Sequence, residues 1–489
     1  MGKLGFWDRL LGRKTRSAPS HGRRSYAAAQ SGRLVADWLA SNRSADEEIR
    51  GALKTLRARS RELCRNNDYA KAFLRLLGNN VIGPNGVGLQ MKAADPGGKL
   101  DTYANSVIEA AWREWSKPKN ASVTRRQSWV DLQRLAAQSI ARDGEVILRL
   151  VAGFPNAFGF ALQVIEADHL DDDYNEELPD GSKIRMGVEI NRWGEPVAYH
   201  VLTRHPGDLM GLDSHTGYRE RVPASEIIHL FVQERPGQTR GVPWMAAPMM
   251  RLKMLGGYEE AELVAARVAA TKMGFFKSSG GAEYQGESDG DGNVISEAAP
   301  GQFEVLPQGL DFVPWSPEHP TTSFSAFCKQ VLRGAAVGLG VSYNALASDL
   351  EGVTYSSLRQ GALEDRDGWM AIQGWLVEHL HASVFERWLE MSMISGVINL
   401  PIRKFDKFNS PSWMPRRWSW VDPLKEVQAS LESVYGGLKS RRQIIAEQGG
   451  DIEDTFEELA QDEALAKQKG LLFQQSANIG AKNAQLPAD

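Results

Sequence analysis

The spacing of apolar residues changes partway along the chain, from a helical to a strand-like repeat. Before Asp143 the apolar positions recur every three or four residues, which predicts helices over residues 46–77, 100–115 and 129–142. After Gly144, Val146, Leu148 and Leu150 alternate with Glu145, Ile147 and Arg149, as in a β-strand. Further strands are predicted at 160–167, 185–191, 197–203 and 226–232, with a turn at 191–196. We expect a small, partly open β-barrel packed on the preceding helices.

Helical spacing returns after Trp244. It predicts one helix to about residue 273, broken at Gly256-Gly257, and a second over residues 323–336. Between them, residues 278–301 are rich in Gly, Ser, Asp and Glu, and short strand-like pieces follow at 303–306 and 312–313.

A long helix is predicted next. Ser357 and Gln360 have the spacing of a capping box, and helical spacing then continues to Ser395. Such a helix would measure roughly 55–60 Å at 1.5 Å per residue, and the mean globular helix has only about 11–12 residues. We therefore interpret it as a structural strut.

The C-terminal part is predicted to be helical again, with three recognisable starts. Asp422 before Pro423 is one N-cap, Ser440 with Gln443 is another, and Asp451 is expected to cap a last acidic helix. Residues 478–489 are expected to fray.

Composition bears on which partners are possible. The 489 residues include 57 Lys and Arg against 61 Asp and Glu, a formal charge of −4. A protein that coats nucleic acid would normally be strongly basic, but near-neutrality is compatible with a protein that lets DNA pass without gripping it. The 14 Trp residues favour buried cores or subunit interfaces.

The two cysteines and the hydropathy of the chain indicate the cellular compartment in which the protein is expected. Cys64 and Cys328 are too few and too far apart for a disulfide framework, and no apolar run approaches the roughly 20 residues of a membrane span. We expect a soluble protein of a reducing cytoplasm. Residues 1–45 are interpreted as a basic, disordered arm, although Leu4, Trp7, Leu10 and Leu11 could instead form a helical stripe that docks on a partner or a membrane surface.

The sequence lacks the common motifs for catalysis. The chain has no phosphate-binding loop ending in Gly-Lys-Ser/Thr and no Gly-x-Ser-x-Gly elbow. Asp171, Asp173 and Asn175 resemble the start of a calcium loop, but Glu176 stands where Gly is needed, so we expect a solvated acidic loop. We predict no catalytic residues, no metal, no cofactor and no enzymatic activity.

Several short strings occur in an order that resembles lambda-like phage portal proteins. They are LCRNNDYA (63–70), NNVIG (79–83), DGEV (143–146), LQVIEADHL (162–170), GEPVAYH (194–200), HPGD (205–208), RPGQTRGVPW (235–244), GLGVSY (338–343) and YSSLR (355–359). Each string alone is weak, but their ordered occurrence between about residues 60 and 450 is specific.

The resemblance implies an α+β, mainly helical portal fold. Its parts would be an N-terminal arm (1–45), a β-rich wing (46–244), a first stem helix (245–275), a small clip (276–317), a second stem helix (318–341), a tunnel loop (342–356), a long spine helix (357–395), a return to the wing (396–421) and a helical crown with a C-terminal tail (422–489).

The resemblance also implies a function. Portal proteins form a dodecameric homo-oligomeric ring at one capsid vertex, whose channel carries double-stranded DNA during packaging and ejection. The implied partners are the terminase large subunit, head–tail adaptor proteins, and the major capsid and scaffold proteins, with assembly in the host cytoplasm and no membrane. Two alternatives are another capsid-associated structural or adaptor protein and a DNA-processing enzyme.

The candidate site residues follow from how DNA would be handled. One phosphate contact from each of about twelve subunits would match or exceed the roughly 6–10 contacts of a tight binder and would brake translocation, so channel-facing cations should be sparse. The stem candidates are Arg251, Lys253, Lys272, Lys329 and Arg333, for which the alternative is that they are exposed helix charges or form salt bridges between subunits. The DNA-facing candidates in the tunnel loop are Asn344, Asp349, Glu351, Thr354 and Tyr355, which could equally be ordinary turn residues.

Overall fold

The fold is described from a computed structural model of the whole chain. The structure describes residues 40–208, 218–270, 274–278, 310–314, 323–418, 423–448 and 452–471, with a few isolated positions besides. The predictions for the arm up to residue 39, Lys272, residues 279–309, Asp422, Asp451 and the last residues lie outside this part of the chain.

Helices make up most of the described chain. Their bounds are α1 Ala45–Arg50, α2 Leu53–Asn66, α3 Asp68–Leu77, α4 Thr102–Trp115, α5 Pro118–Ala121, α6 Trp129–Asp143, α7 Met249–Ala270, α8 Phe324–Leu339, α9 Tyr343–Ala347, α10 Tyr355–Leu376, α11 Ala382–Ile394, α12 Phe405–Phe408, α13 Pro423–Tyr435, α14 Arg441–Glu447 and α15 Ile452–Lys469. Wider π-helical turns follow α3 at Gly78–Ile82 and join α10 to α11 at Val377–His381.

The strands pair antiparallel throughout the described sheets. They are β1 Gly88–Met91, β2 Glu145–Ala152, β3 Phe160–Ile165, β4 Glu176–Glu177, β5 Lys183–Arg185, β6 Val188–Ile190, β7 Pro196–Leu202, β8 Arg219–Pro223, β9 Ile227–Phe231, β10 Gly274–Ser278, β11 Leu310–Pro314 and β12 Pro411–Met414. The sheet orders are β3-β2-β9, β4-β5-β6-β7-β8, β1-β12 and β10-β11.

Strand β2 lies between two apolar layers. Val146, Leu148 and Leu150 join the main core under the helices, whereas Ile147 joins a smaller core that the five-stranded sheet covers. The predicted alternation is correct, but both faces of the strand are buried. The predicted partly open barrel is wrong for the described strands, because they form separate three- and five-stranded sheets that pack on each other.

An aromatic cluster fills the main core. The Trp112 ring lies 4.8 Å from the rings of both Trp115 and Trp388, and 5.9 Å from that of Trp129. Because Trp388 lies on α11, these contacts fix the long helix to α4 and α6. The prediction that tryptophans lie in buried cores is confirmed for these four.

The helix predictions are confirmed in kind and corrected in detail. The helix predicted over 46–77 is divided, since Asn67 leaves the helical conformation and its side chain caps α3. The break predicted at Gly256-Gly257 is wrong, because α7 continues through both residues. A glycine inside a helix costs only about 1 kcal/mol relative to alanine, which the surrounding contacts can offset.

The long helix begins earlier than predicted. Thr354, not Ser357, is its N-cap, and the Thr354 hydroxyl accepts a hydrogen bond from the Ser357 amide at 3.3 Å. From Tyr355 the chain stays helical to Ile394, with the single π turn in between, so the predicted strut is confirmed. The capping box at Ser440 and Gln443 is also confirmed.

Two glycines allow the end of α6 to cross closely over the segment that precedes α7. Gly144 ends α6 in the left-handed conformation (φ 91°), and a Cβ there would lie 2.5 Å from the Val242 carbonyl carbon. A Cβ on Gly241 would lie 2.1 Å from the Gly144 carbonyl oxygen. Side chains at these positions would force the two backbones apart.

Candidate functional site

The loop between the second stem helix and the long helix is anchored at its start. Gly340 ends α8 in the left-handed conformation, and Ser342 caps the short helix α9. The Ser342 amide and hydroxyl both donate to the Asp365 carboxylate, at 2.8 and 2.6 Å. Because Asp365 lies on α10, the loop start is tied to the long helix.

The second half of this loop is held by a cluster of charged groups. The Lys329 ammonium on α8 lies 2.9 Å from Glu351 Oε2 and 3.2 Å from Asp349 Oδ2. The Tyr343 hydroxyl donates to Asp349 at 2.7 Å, and the Arg333 guanidinium lies 5.5 Å from the centre of the Tyr343 ring. We call these five residues the loop anchor.

The electrostatics of the loop anchor keep its acid ionised. The Tyr343 hydroxyl, the Glu351 amide and the Lys329 ammonium lower the pKa of Asp349 to about 2. The hydrogen bonds to Glu351 and Asp349 raise the pKa of Lys329 above its ordinary value. Both groups are therefore charged at neutral pH.

The structure brings together residues that the sequence placed in separate sets. Lys329 and Arg333 from the stem set meet Asp349 and Glu351 from the loop set in the loop anchor. Lys329 forms its salt bridges within one chain, whereas the sequence interpretation had considered salt bridges between subunits.

The other predicted site residues lie apart from the loop anchor. Arg251 crosses to α8, where its Nη1 would lie 1.7 Å from a Cβ on Gly334, and Lys253 is exposed on α7. Asn344 is half-buried on α9, and Tyr355 is exposed at the start of α10. Thr354 caps α10, and Lys272 lies outside the described residues. A channel-facing role stays a prediction for all ten residues.

We predict that replacing Asp349 with Asn will loosen the loop. The variant loses the charge that pairs with Lys329 and weakens the acceptor for the Glu351 amide, which donates to Asp349 at 2.9 Å. Hydrogen exchange measured by mass spectrometry should become severalfold faster in the peptide covering 348–354, without a change elsewhere.

The exposed carboxylate of the same cluster supplies the matched control. Glu351→Gln removes a charge whose side chain is 81% exposed, so the exchange rate should change little. Since the Asp349 pKa is lowered, its ion pair stabilises the loop above about pH 4 and is lost as the pH falls toward 2. Equal protection in both variants at neutral pH would contradict the anchoring role.

The sequence did not reveal a buried charge network in the wing. Glu145 is fully buried on β2, and its Oε1 lies 2.6 Å from Arg240 Nη2 and 2.9 Å from Arg57 Nη2. Its Oε2 lies 3.0 Å from His229 Nε2 and accepts the Gly241 amide at 2.8 Å. A carboxylate in the middle of an apolar strand pattern was the available signal, because such a group requires a buried cation.

The charge balance of this network explains its titration. Burial alone would raise the pKa of Glu145, but the charges of Arg240, His229 and Arg57 hold it well below its usual range. Arg240 also donates to Asp172 at 2.7 Å. The prediction of a solvated acidic loop around Asp171 is therefore wrong for Asp172, which is buried.

One group of described residues has the donor atoms of a metal site. Ligand atoms of Glu166, Asp168 and His205 lie within 4.8 Å of one another. However, Arg61 already reaches this group, with its Nη2 at 3.0 Å from Glu166 Oε1 and also bonded to Asp168. A guanidinium supplies the positive charge there, so the geometry does not call for a metal ion.

The cysteines and the hydropathy of the helices complete the description. Cys64 and Cys328 are both buried and carry free thiols. Among the helices in the described ranges, none is long and apolar enough to cross a membrane.

Comparison with known proteins assigns the family. The model described as "Phage portal protein, lambda family" matches residues 31–373. The probable portal protein of Halomonas phage phiHAP-1 is 38% identical over 457 residues, covering 92% of this chain and 88% of that protein. Portal protein B of Escherichia phage lambda is 23% identical over 487 residues, covering 90% and 89%.

A solved structure was also matched. One chain of the neck of an empty GTA particle aligns with a TM-score of 0.44 at 14% identity, covering 80% of this chain and 93% of that one. The family model spans most of the sequence, and the Halomonas phage relative covers nearly all of it. The chain belongs to the lambda family of phage portal proteins.

Proposed function

We propose that twelve copies of this chain form a closed ring at one capsid vertex, and that double-stranded DNA passes through its centre during packaging and ejection. Family membership supports the general role. The observation that carries ring formation is the outer face of α7, which is apolar and yet uncovered in a single chain.

Helix α7 has two apolar faces. Leu252 and Leu255 are buried on the inner face, where α7 packs against α8 and α2. The outer face carries apolar or small residues at alternating intervals of four and three; we call these residues the stem seam: Met250, Met254, Gly257, Ala261 and Val264, all exposed. Intervals of this kind are typical of a helix that packs along a second partner.

The exposure of the stem seam is large for such residues. Met250 is 62% exposed, Met254 is 70% exposed and Val264 is 51% exposed. An apolar stripe along a helix is normally buried against a partner, and the stem seam of α7 has none among the described residues of the single chain. We infer that the partner is a neighbouring copy. A contact between two different surfaces of identical copies generates a ring when the rotation closes.

The loop anchor supports a channel lining that does not hold DNA tightly. Lys329 is balanced by two carboxylates, so it presents little net positive charge to a phosphate. A loop fixed to both α8 and α10 keeps a constant shape while DNA slides past it. We propose that residues 342–356 face the DNA on this basis.

The docking role is proposed from the family and from the chain segment between the stem helices. Strands β10 and β11 pair with each other and bracket residues 279–309. We propose that the clip, residues 276–317, contacts the terminase large subunit and then head–tail adaptor proteins. The wing and crown would contact the major capsid and scaffold proteins during assembly in the host cytoplasm. The role is structural, with no catalytic step.

Imaging of the purified full-length chain tests the proposal. Negative-stain micrographs should show closed rings with a central opening wide enough for duplex DNA, and native mass spectrometry should count about twelve copies. A pure protein that remains a single compact particle under all assembly conditions would overturn the ring and, with it, the channel.

A further inference from the structure

A cleft in the wing collects positive charge away from the stem and the loop anchor. It has a volume of about 1070 Å³ and lies between α3, α6 and the segment that follows β12. Lys71 and Arg75 line it from one face of α3, Arg134 from α6, and Arg416 from the returning chain. Asp68 is the acidic residue in the lining of this cleft.

The two inner arginines are fixed in place. The Arg134 Nη2 donates to the Gly83 carbonyl at 2.9 Å, and the Arg416 Nη1 donates to the Asn79 carbonyl and, at 3.3 Å, to Asn80 Oδ1. These partners are neutral. Within the part of the chain that the structure describes, none of the four cations forms an ion pair.

The cleft therefore carries four cations against one lining acid, Asp68. The Arg134 Nε is buried without a hydrogen-bond partner. Burial and the nearby positive charge of Arg366 lower the pKa of Arg416, which is the effect expected where cations gather without an anion. Lys71 and Arg75 are exposed, and Arg134 and Arg416 are half-buried. A cleft lined mainly by one sign of charge concentrates ions of the opposite sign, so the arrangement favours binding of an external anion.

The chemistry of the walls favours a phosphate backbone over an acidic protein segment. A docked protein helix needs apolar anchors, and the cleft offers one large apolar side chain, Leu74, beside amides such as Gln138. The guanidinium and ammonium groups that line the cleft match phosphate oxygens, and contacts to the DNA backbone alone read no sequence. Lys71 and Arg75 lie one helical turn apart, so they can meet neighbouring phosphates.

We propose that this cleft binds the phosphate groups of duplex DNA outside the channel, independently of sequence. The inference rests on the proposed function, because that function brings packaged DNA next to the wing. Each subunit of a ring would contribute one such cleft. The contact would therefore be multivalent, salt-sensitive and separate from the weakly charged channel lining.

The test measures binding of the assembled full-length protein to a fluorescein-labelled random duplex of about 30 base pairs, chosen to exceed one to two helical turns. Fluorescence anisotropy is recorded over a series of NaCl concentrations for the wild type and for Lys71→Gln/Arg75→Gln. Each phosphate contact contributes about 0.9 to the slope of log affinity against log salt. The slope measured for the double variant should therefore be shallower by about 1.8 for each cleft that the duplex occupies.

A matched control neutralises two cations elsewhere in the wing. Lys183→Gln/Arg185→Gln removes the same charge from β5, where both side chains already pair with Glu177, and should leave the slope unchanged. A second probe is a peptide of residues 452–469, the acidic helix of this chain. Binding of the peptide but not of the duplex would replace DNA by an acidic protein partner and overturn the proposal.

Two other results of the binding experiment would also overturn the proposed site. A wild type that does not bind the duplex, or a cleft variant that keeps the wild-type slope, would overturn the phosphate site. Negative-stain images of the same samples separate this failure from that of the proposed function. Rings without cleft binding would leave the portal role intact, whereas a wild type without rings would remove it.

Discussion

Replacing Met254 with Asp should convert the rings into monomers and short open arcs. Met254 lies in the middle of the stem seam and is 70% exposed in the single chain. Burying such a side chain is worth about 1.5–3 kcal/mol, and burying a carboxylate in its place adds a further penalty. A loss of about 3 kcal/mol per interface weakens each contact by more than about a hundredfold. Size-exclusion chromatography with light scattering would measure the change.

Two control variants separate the interface from the fold. Met254→Leu keeps an apolar side chain of similar size and should still form rings. Lys253→Asp adds an acid to the neighbouring residue, which points away from the stem seam by about 100° around the helix, as 3.6 residues per turn requires. Circular dichroism should show the same helix content in all variants.

Mixing the variant with the wild type tests how the copies join. If the stem seam meets a different surface of the next copy, a Met254→Asp subunit keeps that second surface and can still bind one neighbour. It would then end a growing arc, so a small excess should prevent closure of wild-type rings. Unchanged rings made of Met254→Asp alone would contradict the stem seam as an interface.

Replacing Glu145 with Gln should destabilise the wing by about 3–5 kcal/mol, the usual effect of breaking a buried ion pair. Both carboxylate oxygens face donors: Oε1 faces Arg57 and Arg240, and Oε2 faces His229 and the Gly241 amide. A glutamine must turn its NH₂ group toward one of these donors, whichever way it is oriented. The change also leaves two buried guanidinium groups with Asp172 as their remaining common anion. Urea-induced unfolding would measure the loss.

An exposed pair of the same type provides the comparison. Glu220 lies 3.1 Å from Arg149 and is 47% exposed, so Glu220→Gln should cost less than about 1 kcal/mol. Because Gly241 precedes α7 by only a few residues, Glu145→Gln should also weaken the attachment of the stem. Equal stability of the two variants would contradict the central role of Glu145.

The helices, including the long strut, could be predicted from the sequence. Short-range periodicity and capping residues specify them, and the capping box at Ser440 and the strand from Glu145 appear as predicted. The start of the long helix was missed because Thr354 and Ser357 are both good caps three residues apart. Only packing of the loop on α8 decides between them.

The sequence could not predict the contacts between residues that lie far apart in the chain. Glu145 lies 88 residues from Arg57 and 95 from Arg240 in sequence, and no periodic pattern connects positions so far apart. Likewise, the sequence offered no reason to pair Lys329 with Glu351, because this contact forms only where the loop folds back on α8. The cationic cleft combines α3, α6 and Arg416, which the chain supplies from three separate regions.

The sequence by itself determined the order of helices and strands, the long strut and the resemblance to portal proteins, because spacing and short strings are local properties. Only the tertiary structure decided which charges meet, which are left without a partner, and that α7 exposes an apolar face. Charge pairing and burial depend on distances between segments, and these distances exist only once the chain has folded.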